Sequence, residues 1–541
     1  MIASVMRTAL VLIAALAGSA AQPALAAWHE ASSDHFVIYA DDRPANVQRY
    51  AENLERYHAA MALLLGREIN KPSPSNRVVI YAVGSQRDIR DLANSRSRRI
   101  AGFYIPRAGA SRAFVQDLAN DGDGEYPSFS TIVLLHEYAH HFLMSSSGFA
   151  MPRWLNEGAA EFFAATSFGK DGSVKMGRAA RHRVGELMFG DTLTVRDLLA
   201  AGPRREGAAR GDNSFYGHSW LLYHYLTFRE ERAGQLTTYQ RALVSGKTSL
   251  EAGEAAFGNL DALNTEVRAY LRSGKTMSFA IPPDRLQIGA VKMRALSEGE
   301  AAMMDVAIRS QRGVNSAQAA ELVTQARTIA ARYPDDPGVL TALAEAEYDA
   351  GNDAAAIAAA EAALARDPQA TNAHVQQGLA LFRQAARADN KAAAYAKAMQ
   401  PFEKLNAIEN DHPLPLIHYF QSYTRRGVRP PENARAALER AAQLAPFDMG
   451  LKLNVALMLL TEGKIELARA FLQPVAVNPH GGRLAGNAQR LLDKLAGLPE
   501  GPITSPAQLD ALAAERAASA AGDDDGDEGG DGGGAGEGAA R

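Results

Sequence analysis

The sequence predicts an α+β domain followed by an all-α solenoid, and three patterns predict it. Strand-like apolar runs alternate with helical stretches up to about Leu118, and helical periodicity runs from Ser128 to about Leu226. Beyond about Gln287, Ala-rich helices recur at a near-constant interval. At 541 residues the chain is too long for one core, and a prior of roughly 100–200 residues per domain calls for two or three folded units plus tails. Its 47% hydrophobic and 22% charged residues are the composition of a chain that folds in water.

In chain order, residues 1–26 read as a signal peptide. Arg7 precedes an apolar run from Thr8 to Ala17, and Ala24-Leu25-Ala26 is a pattern that a signal peptidase accepts. That run is too short to cross a bilayer, which takes roughly 20 residues, so a periplasmic or secreted protein without a stable membrane span is expected. With no cysteine in the chain, disulfides, thiolate nucleophiles and thiolate ligands are excluded, and any metal must be held by His and carboxylate. A formal charge of −4 offers no basic field for nucleic acid.

Residues 27–285 form the predicted α+β domain. Strands are expected at His35 to Ala40, Arg77 to Val83, Gly102 to Ile105 and Arg112 to Gln116, with a helix from Asn46 to Leu65 packed on the sheet. Ala113-Phe114-Val115 is taken as an edge able to pair with an extended peptide. Arg96, Arg98 and Arg99 read as a solvated basic loop, and the polar segment Ala119 to Pro127 breaks the layer. Thr248 to Ser273 reads as helix, and Ile281-Pro282-Pro283 marks the domain end.

Residues 287–498 carry the repeats. In the unit Pro337 to Pro368, Leu340, Leu343, Ala344, Gly351, Ala356 and Ala363 fall where a tetratricopeptide-like repeat wants its small, large and turn residues. The intervals Pro413 to Pro446 and Pro446 to Pro479 are close to the period of about 34 residues, and Ala385 to Lys391 lengthens one hairpin. Glu298 to Ser310 with Ala317 to Ala331 makes a first pair, so four repeats or five helix pairs are expected. Such a stack buries its own core and offers a concave face to a protein or peptide, or serves structure alone. Residues 499–541, acidic and Gly-rich from Ala521 on, lack the apolar side chains to offset their ordering entropy and are expected to stay disordered.

Chemistry concentrates in Thr131 to Phe142. On a helix, His136 and His140 share one face and can aim imidazole nitrogens at one ion, while Glu137, turned about 100° away, can act as general base. The flanking residues Ile132 to Leu135 and Phe142 to Met144 are apolar, as a core helix requires. A third ligand comes from Trp154 to Glu161: Pro152 suits a helix start, and Glu157 lies on the first turns of the helix that follows. Glu161, one turn on, can accept the second N–H of a ligating histidine. His141 should diverge from the ligand face because adjacent helical residues do not share a side.

His136-Glu137-x-x-His140, then Asn156-Glu157-Gly158 and Glu161, resembles the gluzincin peptidases, including aminopeptidase N-like and thermolysin-like enzymes. The layout is similar to exported bacterial proteins of the peptidase MA-like type with tetratricopeptide-like repeats. The resemblance implies a gluzincin-like fold, one Zn2+ per chain on His136, His140 and Glu157, catalysis by Glu137, and a protein or peptide substrate. Only 16 residues separate His140 from Glu157, slightly fewer than in the aminopeptidases, which implies a tighter connecting loop. In those aminopeptidases a tyrosine opening a later helix donates to the developing oxyanion, and Tyr216 falls at that place; His218 is the rival donor. His218, Tyr223 and His224 otherwise read as core or surface residues. No Gly-x-Met-x-Asn segment of the kind that holds a free N-terminus precedes His136, which favours an endopeptidase. The expected function is thus an exported zinc endopeptidase whose repeats recruit a protein. The alternative is a repeat-based binding or assembly factor with an inactive or tightly gated peptidase core.

Overall fold

The structure, a computed structural model, describes residues 28–95, 97, 100–118, 126–202, 212–496 and 507. The signal peptide, Arg96, Arg98, Arg99, most of the polar segment before Ser128, residues 203–211 of the helical stretch and nearly all of the acidic tail lie outside the described residues.

Five short strands open the chain: β1 (Trp28–Ser32), β2 (Phe36–Asp41), β3 (Val78–Ala82), β4 (Gly102–Ile105) and β5 (Arg112–Val115). With β9 (Lys292–Ala295) they form a six-stranded mixed sheet in the order β4-β5-β3-β2-β1-β9. β2, β3 and β5 run parallel, and the outer pairings are antiparallel. Two of these placements differ from the sequence reading. Ala113-Phe114-Val115 is an interior strand between β3 and β4, so Gly102–Ile105 takes the edge. β9 lies past the expected boundary at 285, and a truncation there would strip β1 of its outer partner. The apolar stretch Val78 to Ala82 fits a strand buried on both faces.

The period of two divides the sheet between two cores. Phe36, Ile38, Ala40, Val78, Ile80, Ala113 and Val115 face α1 (Pro44–Leu65) and the helices beyond it. On the other face Tyr39, Tyr81, Phe114 and Phe103 stack in sequence, ring centroids 5.4, 5.5 and 4.7 Å apart.

A short helix, α2 (Gln86–Leu92), precedes β4. After the polar segment, α3 (Phe129–Ser146) begins at Ser128, whose hydroxyl accepts the Thr131 N–H, and α4 (Arg153–Ala164) begins after Pro152. Being apolar nearly all round, α3 is buried. Tyr57 of α1 donates to the Leu135 carbonyl at 2.9 Å and fixes the helix against the sheet layer. β7 (Val174–Met176) pairs with β6 (Ser167–Phe168) on one side and with the later β8 (Phe279–Ile281) on the other. α5 (Val184–Phe189), α6 (Val195–Ala200) and α7 (Asp212–Phe228) complete the layer around α4. Gly158 is required where α4 crosses α7, because a Cβ there would stand 2.5 Å from the Ser219 carbonyl oxygen. α8 (Gln235–Val244) follows, and the stretch expected as helix from Thr248 to Ser273 is two helices, α9 (Ser249–Phe257) and α10 (Leu260–Ser273). They are divided at Gly258, φ 74°.

Five helical hairpins and a final helix make up the C-terminal half. They are α11 (Glu298–Arg312) with α12 (Ser316–Ala330), α13 (Pro337–Asp349) with α14 (Asp353–Arg366), and α15 (Thr371–Ala386) with α16 (Lys391–Ile408). α17 (Pro413–Thr424) with α18 (Glu432–Leu444) and α19 (Met449–Thr461) with α20 (Ile465–Ala476) follow, and α21 (Gly482–Leu495) closes the stack. Fully buried Ala356, Ala360 and Ala363 let neighbouring helices approach closely. The solenoid meets the sheet domain at both of its ends. Met304 and Ile308 of α11 cover Tyr81 and Phe114. Farther on, Glu409 accepts from Ser75 N and Oγ at 3.0 and 2.6 Å, Asn76 donates to the Leu444 carbonyl at 3.0 Å, and Asp448 accepts from Ala108 N at 2.9 Å. Gly109, φ 83°, lies so close to Leu414 that a Cβ would meet its Cγ at 2.9 Å. No described helix is long and apolar enough to cross a membrane.

Candidate metal centre

His136 and His140, one turn apart on α3, point their rings at a common point with Nε2 atoms 3.0 Å apart. Glu157 of α4 brings Oε2 to 3.4 Å from each. A fourth group comes from the far end of the chain. His480, in the turn between α20 and α21, places Nε2 3.3 Å from His140 Nε2 and 3.6 Å from Glu157 Oε1. The four ligand atoms lie within 4.8 Å of one another.

These separations fit a cation. Ligand atoms at about 2.0–2.1 Å from a tetrahedral ion stand about 3.3 Å from each other. The Glu157 carboxylate is 0% exposed, and neither oxygen has a hydrogen-bond donor among the described residues. A buried, unpartnered carboxylate facing three imidazole nitrogens is costly unless positive charge sits between them. The group can hold a metal ion.

Its surroundings set orientation. Asn156 Oδ1 lies 2.9 Å from His140 Nδ1, and Glu161 Oε1 lies 3.0 Å from His136 Nδ1. The Asn156 hydrogen bond fixes which nitrogen of His140 faces the cluster, and Glu161 sets a negative charge beside the outer nitrogen of His136. Glu161 is itself clamped, with Oε1 accepting from Arg183 Nη2 and Oε2 facing His182 Nε2, both at 2.6 Å. Arg183 also donates to Glu186 Oε1 at 2.8 Å, and Glu186 Oε2 accepts from Gly217 N at 2.8 Å at the start of α7. Burial would push Glu161 up, but the Arg183 guanidinium, then His182 and His136, hold its carboxyl well below the usual carboxylate range. Burial opposes charge on His136 too, yet the Glu161 and Glu157 carboxylates hold it up at about 10. Glu157 is likewise held well below its usual range, burial being outweighed by His140 and His136.

His136, His140, Glu157 and Glu161 gather here as the sequence predicts, with Glu137 and Tyr216 beside them. Glu137 is half-buried beside His136, and its charge acts on His480. Tyr216 is 5% exposed, its ring centroid 6.3 Å from that of His136 and its face under the Arg183 guanidinium at 4.8 Å. His218 instead spends Nδ1 on the Ser214 carbonyl at 2.8 Å. His224 is fully buried between the Gly177 and Met277 carbonyls and the Tyr270 hydroxyl, and burial lowers it to about 4. Tyr223 packs on Phe162. His141 diverges from the ligand face: its Nδ1 lies 2.6 Å from the Tyr104 hydroxyl, and Phe447 of the solenoid covers its ring at 4.4 Å.

Sequence reasoning missed His480, His182, Arg183 and the role of Asn156. His182 and Arg183 sit on a single turn before α5, and only their proximity to two buried carboxylates could have flagged them. His480 had one faint signal, a histidine in the Asn478-Pro479-His480-Gly481 turn where the repeats call for nothing but punctuation.

No known family profile matches the chain, and no curated protein matches it. Among solved structures it is similar to a thermophilic tetratricopeptide-repeat protein of Thermus thermophilus. The identity is 16%, the alignment covers 36% of this chain and 95% of that one, and the TM-score is 0.28. The repeat character described above rests on this chain's own helix pairs.

Proposed function

We propose that the chain is an exported, zinc-dependent endopeptidase of the gluzincin type, with helical repeats that recruit its protein substrate or a partner. The observation that carries this reading is the convergence of His136, His140 and the unpartnered Glu157 beside Glu137. Zinc is the choice of ligand type, since imidazole and carboxylate also accept other divalent ions. When bound, the ion supplies Lewis acidity and activates water at neutral pH. The chain's own residues do the rest. Glu137 takes the proton from the attacking water and returns it to the leaving amine. Tyr216, beside His136 at the start of α7, donates its hydroxyl to the developing oxyanion, and Asn156 and Glu161 hold the two imidazoles in register. Export rests on residues 1–26 alone, and recruitment rests on the stacked hairpins.

A second reading is a protein-binding or assembly factor with a closed core. The reach of His480 to the ligand cluster favours it, because structural zinc sites are filled by protein whereas catalytic ones keep a position open.

The test is metal content by elemental mass spectrometry, with hydrolysis of an unstructured protein such as casein followed in parallel. About one zinc per chain is expected, lost in His140→Ala and kept in Glu137→Ala, with hydrolysis abolished in both. Failure to take up zinc on reconstitution would overturn the ligand assignment. Zinc without hydrolysis in the intact chain would move the reading to the second.

A further inference from the structure

The turn that carries His480 is built to hold it in place. Pro474, inside α20, and Pro479 restrict the backbone that leads into His480, and the Asn478 side chain accepts the His480 N–H at 3.1 Å. The last hairpins, which carry this turn, are docked on the sheet domain. Phe447 lies on His141 of α3, Asp448 accepts from Ala108 N, and Met144 and Ala108 pack into the apolar core of the last hairpins. Unlike the three ligand groups on α3 and α4, the imidazole keeps 28% of its surface exposed. It is thus the only member of the ligand group that can leave without α3 or α4 moving. Its Nε2 stands at ligand spacing from His140 and Glu157, at the coordination position that hydrolysis has to leave open.

We propose that His480 is a fourth, displaceable metal ligand, so that the solenoid's last turn closes the centre and peptide can enter only when that turn swings away. The inference rests on the metal-binding part of the reading above and not on its peptidase part. It also joins the two readings, because a closed binding form and an open hydrolytic form become two states of one molecule.

The experiment uses the full mature chain reconstituted with Co2+, whose visible absorption reports coordination, and compares it with His480→Ala and His480→Gln. Circular dichroism of the metal-free proteins checks that the variants fold. In the wild type the spectrum should be unmoved by acetohydroxamate, a small bidentate ligand, and Co2+ should pass slowly to a chelator. In both variants the spectrum should shift, acetohydroxamate should perturb it further, and release should be at least about 10-fold faster, since even groups outside the coordination sphere are worth 10–100-fold in affinity. Identical spectra, release rates and acetohydroxamate responses in all three proteins would overturn the inference. So would failure of all three to bind Co2+, which would overturn the metal centre with it. The predicted Co2+ behaviour with no casein hydrolysis by zinc-loaded His480→Ala would uphold the ligand and sink the peptidase.

Discussion

The two faces of the six-stranded sheet are buried by different means. Toward α1 and α3, aliphatic side chains lead to a layer in which Glu157, Glu161, Arg183, His136 and His140 are all nearly solvent-free. Toward the solenoid, four aromatic rings stack under Met304 and Ile308, and polar contacts such as those of Arg294 with Glu30 and Glu300 stay at the rim. The first arrangement is stable only while each charge keeps its partner, and the second depends on area and shape. A single deletion should therefore act through unpaired charge on one face and through a cavity on the other.

The strongest way to break that contrast is Arg183→Ala. It leaves Glu161 and Glu186 buried without their common cation, a loss worth about 3–5 kcal/mol for a broken buried pair. Urea unfolding of the metal-free protein should register it, and a loss below about 1 kcal/mol would mean that water enters the layer. On the other face, Phe114→Ala removes a fully buried ring from the middle of the stack. It should cost about 3 kcal/mol with no change in metal affinity, so a drop in affinity would show that the two faces are coupled. Asn156→Ala sharpens the comparison within the charged layer. It deletes the acceptor at His140 Nδ1, and isothermal titration should find metal binding weakened about 10–100-fold with little change in melting temperature.

The smallest effect belongs to the solenoid's first hairpins. Burial and the neighbouring Glu345 raise Asp349 to about 7, while it accepts from Ser310. A carboxyl raised in the folded state adds stability in full below its unfolded value of about 3.9 and loses it as pH climbs through about 7. Between about pH 4.5 and 7.5 the wild type should fall in Tm by about 1–3 °C more than Asp349→Asn, and parallel curves would remove this residue from the account.

Where sequence carried the structure, the signal was local. The short, continuous apolar runs Phe36 to Ala40 and Val78 to Ala82 marked the central strands, and the four-residue spacing of His136 and His140 marked one face of α3. β9 was hidden because Lys292 and Arg294 make it look like a surface loop, which is how sheet edges are commonly protected from pairing with other chains. Ala113-Phe114-Val115 was misplaced because apolar alternation reports burial and not rank in the sheet. His480 was out of reach for a different reason. Its position is the sum of the turns of five hairpins, and no short window of residues encodes that sum.

The solenoid is a bow strung across the sheet domain, tied by α11 under the aromatic stack, by the contacts of Glu409, Leu414, Leu444 and Asp448 farther on, and at its tip by the α20–α21 turn at the ligand cluster. A free solenoid can flex, but one tethered at both ends can change curvature only by pulling on a tether. Because neighbouring repeats contact chiefly one another, a peptide that straightened or tightened a hairpin between α12 and α16 would deliver its force to the tethers that flank it. At one end β9 and α11 hold the tether against the sheet; at the other the last tether is a turn that offers a single imidazole. The molecule is thus arranged as a tension gauge, in which something grasped along the length of the bow is felt where the bow is tied.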